Sequence, residues 1–453
     1  MNRFFRKLRD KRRITSVSRL IAVSFLGIIL IGALLLSLPY ASRNGHSAGF
    51  TVSLFTATSA TCVTGLVLAD TWTQWSGFGQ IIILMLIEIG GLGLMSILSL
   101  AYFSFRRKMS IQQQFLLAES MGEQDMGDLL THQKKLLFRA FTAEGTGALL
   151  LTLCFLKDYS FPKALKLGVF HSVSAFCNAG FDIMGFEKSG LAKYQCDPFV
   201  CIILSLLIIL GGLGFLVWDE VISIRRPSRW SVYTRLVLLT SGALLLSGTV
   251  LICMTEWVNP KTLGPLSVPE KILAGFFQST TLRTAGFSML DQSSLTSAGK
   301  GISIFYMLIG GSSGSTAGGL KTVTFVVLLL FVWNRVRGNY TVHVFHRTIS
   351  EEHVMNALII FVVMISFIFF SAVYISATSP MEFTDSLFES VSAMGTVGLS
   401  SGGTFRLSRS SQFLVILLMY FGRVGILTLS VGFLRKKPAG ENYRFANTDL
   451  LIG

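Results

Sequence analysis

One short phrase occurs four times in this chain, about 110 residues apart, and it constrains the fold more than any other feature. It reads Ser59-Ala-Thr-Cys-Val-Thr-Gly65-Leu, Ser174-Ala-Phe-Cys-Asn-Ala-Gly180-Phe, Thr280-Thr-Leu-Arg-Thr-Ala-Gly286-Phe and Ser392-Ala-Met-Gly-Thr-Val-Gly398-Leu. Each copy has a hydroxyl residue six positions before a glycine and a large apolar residue just after it. A phenylalanine lies ten before each glycine, at Phe55, Phe170, Phe276 and Phe388. Apolar runs of the roughly 20 residues that cross a bilayer lie near 20–40, 78–104, 136–156, 198–222, 233–255, 301–333, 354–378 and 412–434. Eight spans are therefore expected, in pairs, with one phrase inside each pair. The stretches leading into the phrases, 50–61, 163–176, 270–282 and 383–394, are too short to span but long enough for about three helical turns. The expected unit is helix, re-entrant half-helix, extended phrase, helix. Four such units give an all-α membrane protein with four pseudo-symmetric repeats around one central axis.

Composition decides the solvent. Hydrophobic residues make up 51% of the 453 and charged residues 14%, against about 25% charge in soluble proteins; mean hydropathy is +0.62. The net charge of +15 raises the question of nucleic acid, but its placement argues against that partner. Of 39 Lys and Arg, 26 fall in clusters at 1–19, 106–139, 225–235, 321–347 and 435–444, alternating with the repeated phrases. Excess Lys and Arg in short loops marks the cytoplasmic side, so both termini are expected inside a multi-pass protein of the cell membrane. Basic residues beside a helix, such as those within 3–13, also suit anionic lipid headgroups. The first apolar run exceeds the 7–15 residues of a signal-peptide core and reads as a retained helix. The six cysteines form no C-x-x-C pair, so neither a zinc site nor a disulfide framework is indicated.

Non-helical backbone at membrane depth is tolerated only where it is buried in protein or lines a wet cavity. Four phrases can share one such cavity. Glycine relaxes the steric limit on positive φ, which lets successive carbonyls point one way, and carbonyl rings replace the hydration shell of potassium in channels whose filter is Thr-Val-Gly-Tyr-Gly. Thr396-Val397-Gly398 echoes the start of that filter. The expected ion-binding backbone is Cys62, Val63, Thr64 and Gly65; Cys177, Asn178, Ala179 and Gly180; Arg283, Thr284, Ala285 and Gly286; and Gly395, Thr396, Val397 and Gly398. The cysteines are expected to offer carbonyls rather than sulfur, and Arg283 to point behind the backbone and brace it.

The sixth apolar run is interrupted by Gly310, Gly311, Ser312, Ser313, Gly314, Ser315, Thr316, Ala317, Gly318 and Gly319, followed by Leu320 and Lys321. Leu320 breaks the phosphate-loop spacing and apolar runs flank the segment, so it reads as a flexible intramembrane loop below the phrases, a gate. Arg423 lies inside the eighth run, where a charge is costly and faces protein interior. It is expected either to contact the 310–319 loop as a barrier to cations or to pair with Glu88 or Glu144, the acids that look most buried. Asp182, Glu187, Asp291, Asp385 and Glu389 fall near the phrases on the outer side, where some would concentrate cations. His343, His346 and His353 sit in a basic connector that reads as a partner surface or a solvated loop rather than a metal site.

The four phrases, the Gly-Gly-x-Gly runs at Gly90–Gly93 and Gly211–Gly214, and Gly422-Arg423-Val424-Gly425 resemble the Trk/Ktr/HKT superfamily, closest to the membrane subunit of bacterial Ktr-type potassium uptake systems. The resemblance covers about 15–453. It implies a homodimer with one pore per subunit, K+ as transported ion with uptake often promoted by Na+, a gating role for the intramembrane loop, and a separate cytosolic ring of Rossmann-type regulatory subunits that carry the nucleotide. A serine at the first filter glycine accompanies sodium selectivity in the plant branch; all four glycines here favour potassium. The expected organisation is a basic cytoplasmic N-terminus 1–19, repeats at 20–105, 134–222, 231–333 and 353–434, and a cytoplasmic tail 435–453. No nucleophile with a paired base stands out, so no enzyme is expected. The competing reading is a carrier coupling a cation to Na+ or H+, a class built on repeats and broken helices.

Overall fold

The computed structural model describes residues 2–93, 129–185, 190–224, 226–339 and 341–425. The chain is mostly helical, and one order of elements recurs. A long helix comes first, then a short one that ends at the repeated phrase, then a helix returning across the molecule. The long helices are α1 (Asn2–Leu36), α4 (Leu129–Phe155), α8 (Val232–Glu256) and α12 (Glu351–Thr378). The short ones are α2 (Phe50–Thr61), α5 (Phe161–Phe176), α9 (Val268–Thr281) and α13 (Phe383–Gly395). The returning ones are α3 (Gly77–Leu92), α6 (Pro198–Leu213) with α7 (Phe215–Ser223), α10 (Ser297–Leu308) with α11 (Thr322–Val336), and α14 (Arg409–Val424).

Each returning helix starts at a side-chain cap: Ser76, Asp197, Thr296 and Ser408 accept from backbone N–H groups in the first turn, satisfying donors that a helix start leaves unpaired. Three of them stop at a glycine of positive φ, Gly93 (85°), Gly214 (87°) and Gly425 (89°). The fourth stops at Ile309, where the Gly310 loop begins.

The expected eight spans, the sixth of them broken, are seen only in part, because 94–104 of the second run and 426–434 of the eighth lie outside the described residues. Among the described residues, four helices are long and apolar enough to cross a bilayer, Arg19–Leu36, Lys134–Phe155, Val232–Glu256 and Glu351–Thr378, with a fifth if the pair α6 and α7, bent by 97°, is taken as one. A 16-residue helix such as α3 or α14 is about 24 Å long, short of the roughly 30 Å hydrocarbon core. The apolar runs are as long as expected; the glycines within them end the helix part-way. The break expected only in the sixth run is thus shared by the fourth, and the second and eighth runs end their helices at equivalent glycines.

The outward faces are apolar. Leu34, Leu153, Leu246 and Phe370, one on each long helix, are all more than 60% exposed, which fits a surface solvated by lipid rather than water. The interior packs around the phrases, with Phe55, Phe176, Phe277, Phe287 and Phe388 essentially inaccessible. The basic connector holds a two-stranded hairpin, Val342–Val344 with Arg347–Ile349, turned through Phe345 and His346, both at positive φ (46° and 61°). Twisted hairpin turns call for two such residues in a row. His343 has both ring nitrogens near the hydroxyls of Thr341 and Thr348, and the three connector histidines form no metal cluster among the described residues.

Candidate functional site: a ring of four glycine segments

The four phrases meet. A side chain built on Gly65 would lie 2.5 Å from the Ala179 carbonyl oxygen, and one on Gly180 would lie 2.6 Å from that of Ala285. Gly286 abuts the Val397 carbonyl in the same way, and Gly398 abuts that of Thr64, so the series closes on itself: first to second, second to third, third to fourth, fourth to first. The absent side chains would also press on the neighbouring α-carbons, Gly286 on those of both Gly180 and Gly398 at 3.2 and 3.3 Å. Glycine is needed here for two reasons at once, space and a φ of 94°, 68°, 78° and 94° in chain order.

Two residues before each glycine the backbone is left-handed again: Val63 (φ 56°), Asn178 (58°), Thr284 (64°) and Thr396 (52°). Non-glycine residues pay about 1–3 kcal/mol each for such a conformation and hold it where surrounding structure over-determines it. The surrounding structure does so through the short helices. The N–H one before the glycine donates to the carbonyl of Ser59 (2.8 Å), Ser174 (2.7 Å) and Ser392 (2.8 Å) in copies one, two and four, whereas Ala285 donates to Thr281 (3.0 Å) in copy three. Ser59 and Ser392 Oγ each accept from the glycine N–H at 3.0 Å. Ser174 Oγ donates to Phe181 O at 3.0 Å, and Thr281 Oγ1 to Phe287 O at 2.8 Å. The hydroxyl aligned by sequence in copy three, Thr280, bonds Phe276 O instead, so that copy is braced one residue later than expected.

On the side of the loops that follow the glycines, a cavity of about 260 Å³ is lined by Gly65, Gly180, Gly286, Gly398 and the acids Asp70, Asp182 and Asp291. Asp385 pairs with Lys300 at 2.8 Å instead, and Glu187 lies outside the described residues. Glu389, expected beside the phrases as a mouth or loop charge, is inaccessible: it accepts from Ser400 Oγ (2.5 Å), Ser401 N (3.1 Å) and Thr404 Oγ1 (2.7 Å). Glu256 is equally buried, accepting from Asn259, Thr262 and Thr296. Among the described residues these two acids, not Glu88 and Glu144, are the most buried. Glu144 is 4% exposed and Glu88 half-buried. They face Cys177 Sγ at 3.8 and 3.6 Å, so that sulfur points behind the ring.

On the opposite side lies the 310–319 loop, expected to be flexible, and it is hydrogen-bonded along its length. Ser312 N and Thr316 N donate to Gly212 O (3.0 Å) and Gly211 O (3.2 Å), Gly310 N to Leu320 O (2.8 Å) and Thr322 N to Gly311 O (3.0 Å). Thr316 Oγ1 donates to Phe176 O at 3.1 Å, four residues before Gly180, and Tyr233 to Ser313 O at 2.8 Å. Gly318 packs against the Thr396 side chain, and Gly319 would meet Gly395 O at 2.9 Å. The loop therefore lies against segments two and four. Arg423 donates to Thr316 O, Gly90 O and, at 3.1 Å, Gly91 O, so its partners are carbonyls rather than Glu88 or Glu144. Lys321 Nζ donates to Ala317 O at 2.7 Å. Arg283 is 8% exposed and reaches Ser241 Oγ (3.3 Å), Gly310 O (3.4 Å) and Thr322 Oγ1 (3.3 Å), behind the backbone as expected.

Residues 7–445 match the family model of TrkH, described as a cation transport protein. The chain belongs to that family. It is a transport family rather than one of enzymes, and the TrkH member in hand is a multi-pass helical membrane protein. It is 37% identical to the potassium/sodium uptake protein NtpJ of Enterococcus hirae, over 99% of each chain. It is 35% identical to the Ktr system potassium uptake protein B of Bacillus subtilis, over 96% of each. The potassium transporter TrkH of Vibrio parahaemolyticus matches its fold with a TM-score of 0.69 at 18% identity, over 91% of this chain and 85% of the other.

Sequence reasoning did not single out His171. It is fully buried in α5, nine residues before Gly180, with its ring nitrogens 2.8 Å from Leu167 O and from Asp182 Oδ1. The signal was the half-helix's one histidine, beside the recurring Phe170.

Proposed function

We propose that this TrkH-family chain takes up potassium across a bacterial cell membrane through one central pore, with both termini on the cytoplasmic side. The ring of glycine segments is its selectivity filter, and one observation carries the reading: four segments of like backbone close on one another, each glycine against the next segment's carbonyl, with no side chain between them. A hard monovalent cation sheds water only where oxygen dipoles replace it, and the carbonyls of residues 62–65, 177–180, 283–286 and 395–398 supply them. The cavity above, with Asp182 and Asp291, is the outer mouth, where negative charge raises the local cation concentration.

Below the filter, the 310–319 loop with Lys321 and Arg423 is the gate. Two positive charges and a hydrogen-bonded strap stand in the ion's path, and opening requires the strap to exchange carbonyl partners. A cytosolic ring of nucleotide-binding subunits acting on a homodimer would supply the free energy for that exchange, and Na+ would promote it. The names of NtpJ and the Ktr protein, which mention sodium and potassium, agree with the ions chosen. Coupled symport is the second reading. It draws on Glu88, whose Oε1 is buried without a partner beside Glu144, a pair of carboxyls suited to a proton or Na+.

The test is growth of a bacterium lacking its own potassium uptake, expressing this chain with a regulatory partner. Rescue at low potassium that Gly286→Ser abolishes supports the filter. Rescue indifferent to that change and to Gly398→Ser contradicts it.

A further inference from the structure

The returning element of the second repeat turns by 97° at Gly214, and a groove of about 600 Å³ opens between α4, α6 and α7. Phe138, Leu150, Leu206, Val217, Trp218 and Ile222 are among the residues that line it. Phe138, Leu206 and Ile222 are more than half exposed, so the groove opens on the face that lipid solvates. The polar side chains along its wall are already engaged. Thr142 and Thr146 donate to Phe138 O and Thr142 O at 2.7 and 2.8 Å, and Trp218 Nε1 donates to Leu210 O at 3.0 Å. Arg139 pairs with Asp219 at 2.8 Å. The wall therefore leaves a polar ligand little to bond, and apolar spaces of this kind stay dry and take apolar guests.

One end of the groove is basic. Lys135 lies one helical turn before Arg139 and two before Thr142, on the same face of α4, and Arg226 and Arg229 follow α7. All three are exposed, and none of them forms an ion pair among the described residues. The neighbouring acids are taken, Asp219 by Arg139 and Glu220 by Ser231 and Thr234. A hydrocarbon slot with uncompensated cations at its end is complementary to an amphiphile with an anionic head.

The other side of the same bend anchors the loop. Leu213 O accepts from Ser312 Oγ, and Phe215 N donates to Gly314 O at 3.1 Å. Trp218 meets Phe176 edge to face, 5.7 Å between centroids, and Phe176 O is the acceptor of Thr316. A molecule in the groove thus rests on the residues to which the loop is tied.

We propose that this groove binds an anionic phospholipid of the cytoplasmic leaflet, with an acyl chain against Trp218 and the phosphate at Lys135, and that the bound lipid steadies the bend that holds the 310–319 loop closed. Basic residues beside membrane helices attract anionic headgroups in general; the slot makes one such lipid a ligand. The leaflet and the link to the loop rest on the pore and gate reading above, whereas the site rests on the groove alone.

The experiment has two arms on the full chain in phosphatidylcholine vesicles. In the first, a small fraction of the lipid is phosphatidylglycerol or phosphatidylcholine brominated on its acyl chains, and bromine quenches the indoles it touches. The chain has six tryptophans, so the share of Trp218 is the difference between wild type and Trp218→Phe. Brominated phosphatidylglycerol should quench that share about fivefold more effectively than the phosphatidylcholine, the scale of one Lys beside an anionic headgroup. Lys135→Gln should remove the preference, and Thr146→Phe, which fills the slot, should protect Trp218 from both lipids. Equal quenching by the two lipids overturns the proposal. So does quenching that is the same in wild type and Trp218→Phe, the result expected if a second copy or another part of the chain covers the groove.

In the second arm, resting Rb+ flux without a partner should be about two- to threefold higher in phosphatidylcholine alone than with phosphatidylglycerol added, the scale of one loosened loop contact. Lys135→Gln should abolish the difference, whereas surface charge alone would act on both proteins alike. Selective quenching with a flux indifferent to phosphatidylglycerol contradicts the steadying role. Failure of the gate reading looks different: Arg423→Ala would then leave resting flux unchanged, whatever lipid quenches Trp218.

Discussion

The glycine ring and the 310–319 loop are both irregular backbone at membrane depth, both rich in Gly, Ser and Thr, and they lie against each other. They are held in opposite ways. Each filter segment is tied to the short helix that precedes it, by bonds spanning six or seven residues such as Ser59 to Gly65 and Ser174 to Phe181. The loop closes on itself through Gly310 to Leu320 and Thr322 to Gly311, and is tied to segments far away in the chain through Thr316 to Phe176 and Arg423 to Thr316 and Gly90. A segment held by its own helix moves only if that helix does. A strap held by remote carbonyls can be released while its covalent neighbours stay in place, which is what a two-state element requires.

The largest effect expected is from breaking the ring itself. Gly180→Ala sets a methyl group 2.6 Å from Ala285 O at a φ of 68°, and selective Rb+ uptake should fall by about a hundredfold or more, the scale of roughly 2.7 kcal/mol, while circular dichroism stays unchanged. Next is Arg423→Ala, which removes one hydrogen bond to the loop, at Thr316 O, and two to α3, at Gly90 O and Gly91 O. Resting Rb+ flux through the chain without a partner should rise about tenfold, given 1.5–3 kcal/mol for a bond to a charged group; an unchanged flux would mean the loop is not held closed by this residue.

The local braces should matter less. Ser392→Ala removes the bond to the Gly398 N–H, worth about 1 kcal/mol, and the preference for Rb+ over Na+ should fall roughly fivefold in competition uptake. Ser59→Ala should match it, because the two bonds have the same length and register. Thr316→Val is the mildest, freeing one loop contact to Phe176 O, and should raise resting flux only about two- to threefold with selectivity intact. That split is the sharpest form of the contrast: brace variants alter which ion passes, strap variants alter whether any passes.

Much of this was legible in the chain because its causes are local. The phrase registers placed the four glycines, their positive φ and three of the four hydroxyl braces. The left-handed residue two positions before each glycine was not visible. Val63, Asn178, Thr284 and Thr396 share no side-chain chemistry, and the strain is imposed by ring closure. The shift from Thr280 to Thr281 escaped for a related reason, since two adjacent threonines look alike to a pattern. Hydropathy did not show the 97° bend between α6 and α7, because it sees apolar residues and not the glycine that ends a helix. Burial of Glu389 and Glu256 depends on hydroxyls brought from 11 to 40 residues away, information that no local window holds.

The most direct measurement is equilibrium binding of K+ and of Na+ to the purified chain by titration calorimetry, which needs neither partner nor membrane potential. The account predicts saturable K+ binding, much weaker Na+ binding, and loss of the K+ signal in Gly286→Ser protein that remains folded. Equal binding of the two ions, or K+ binding that survives the substitution, would contradict a filter made from these four segments.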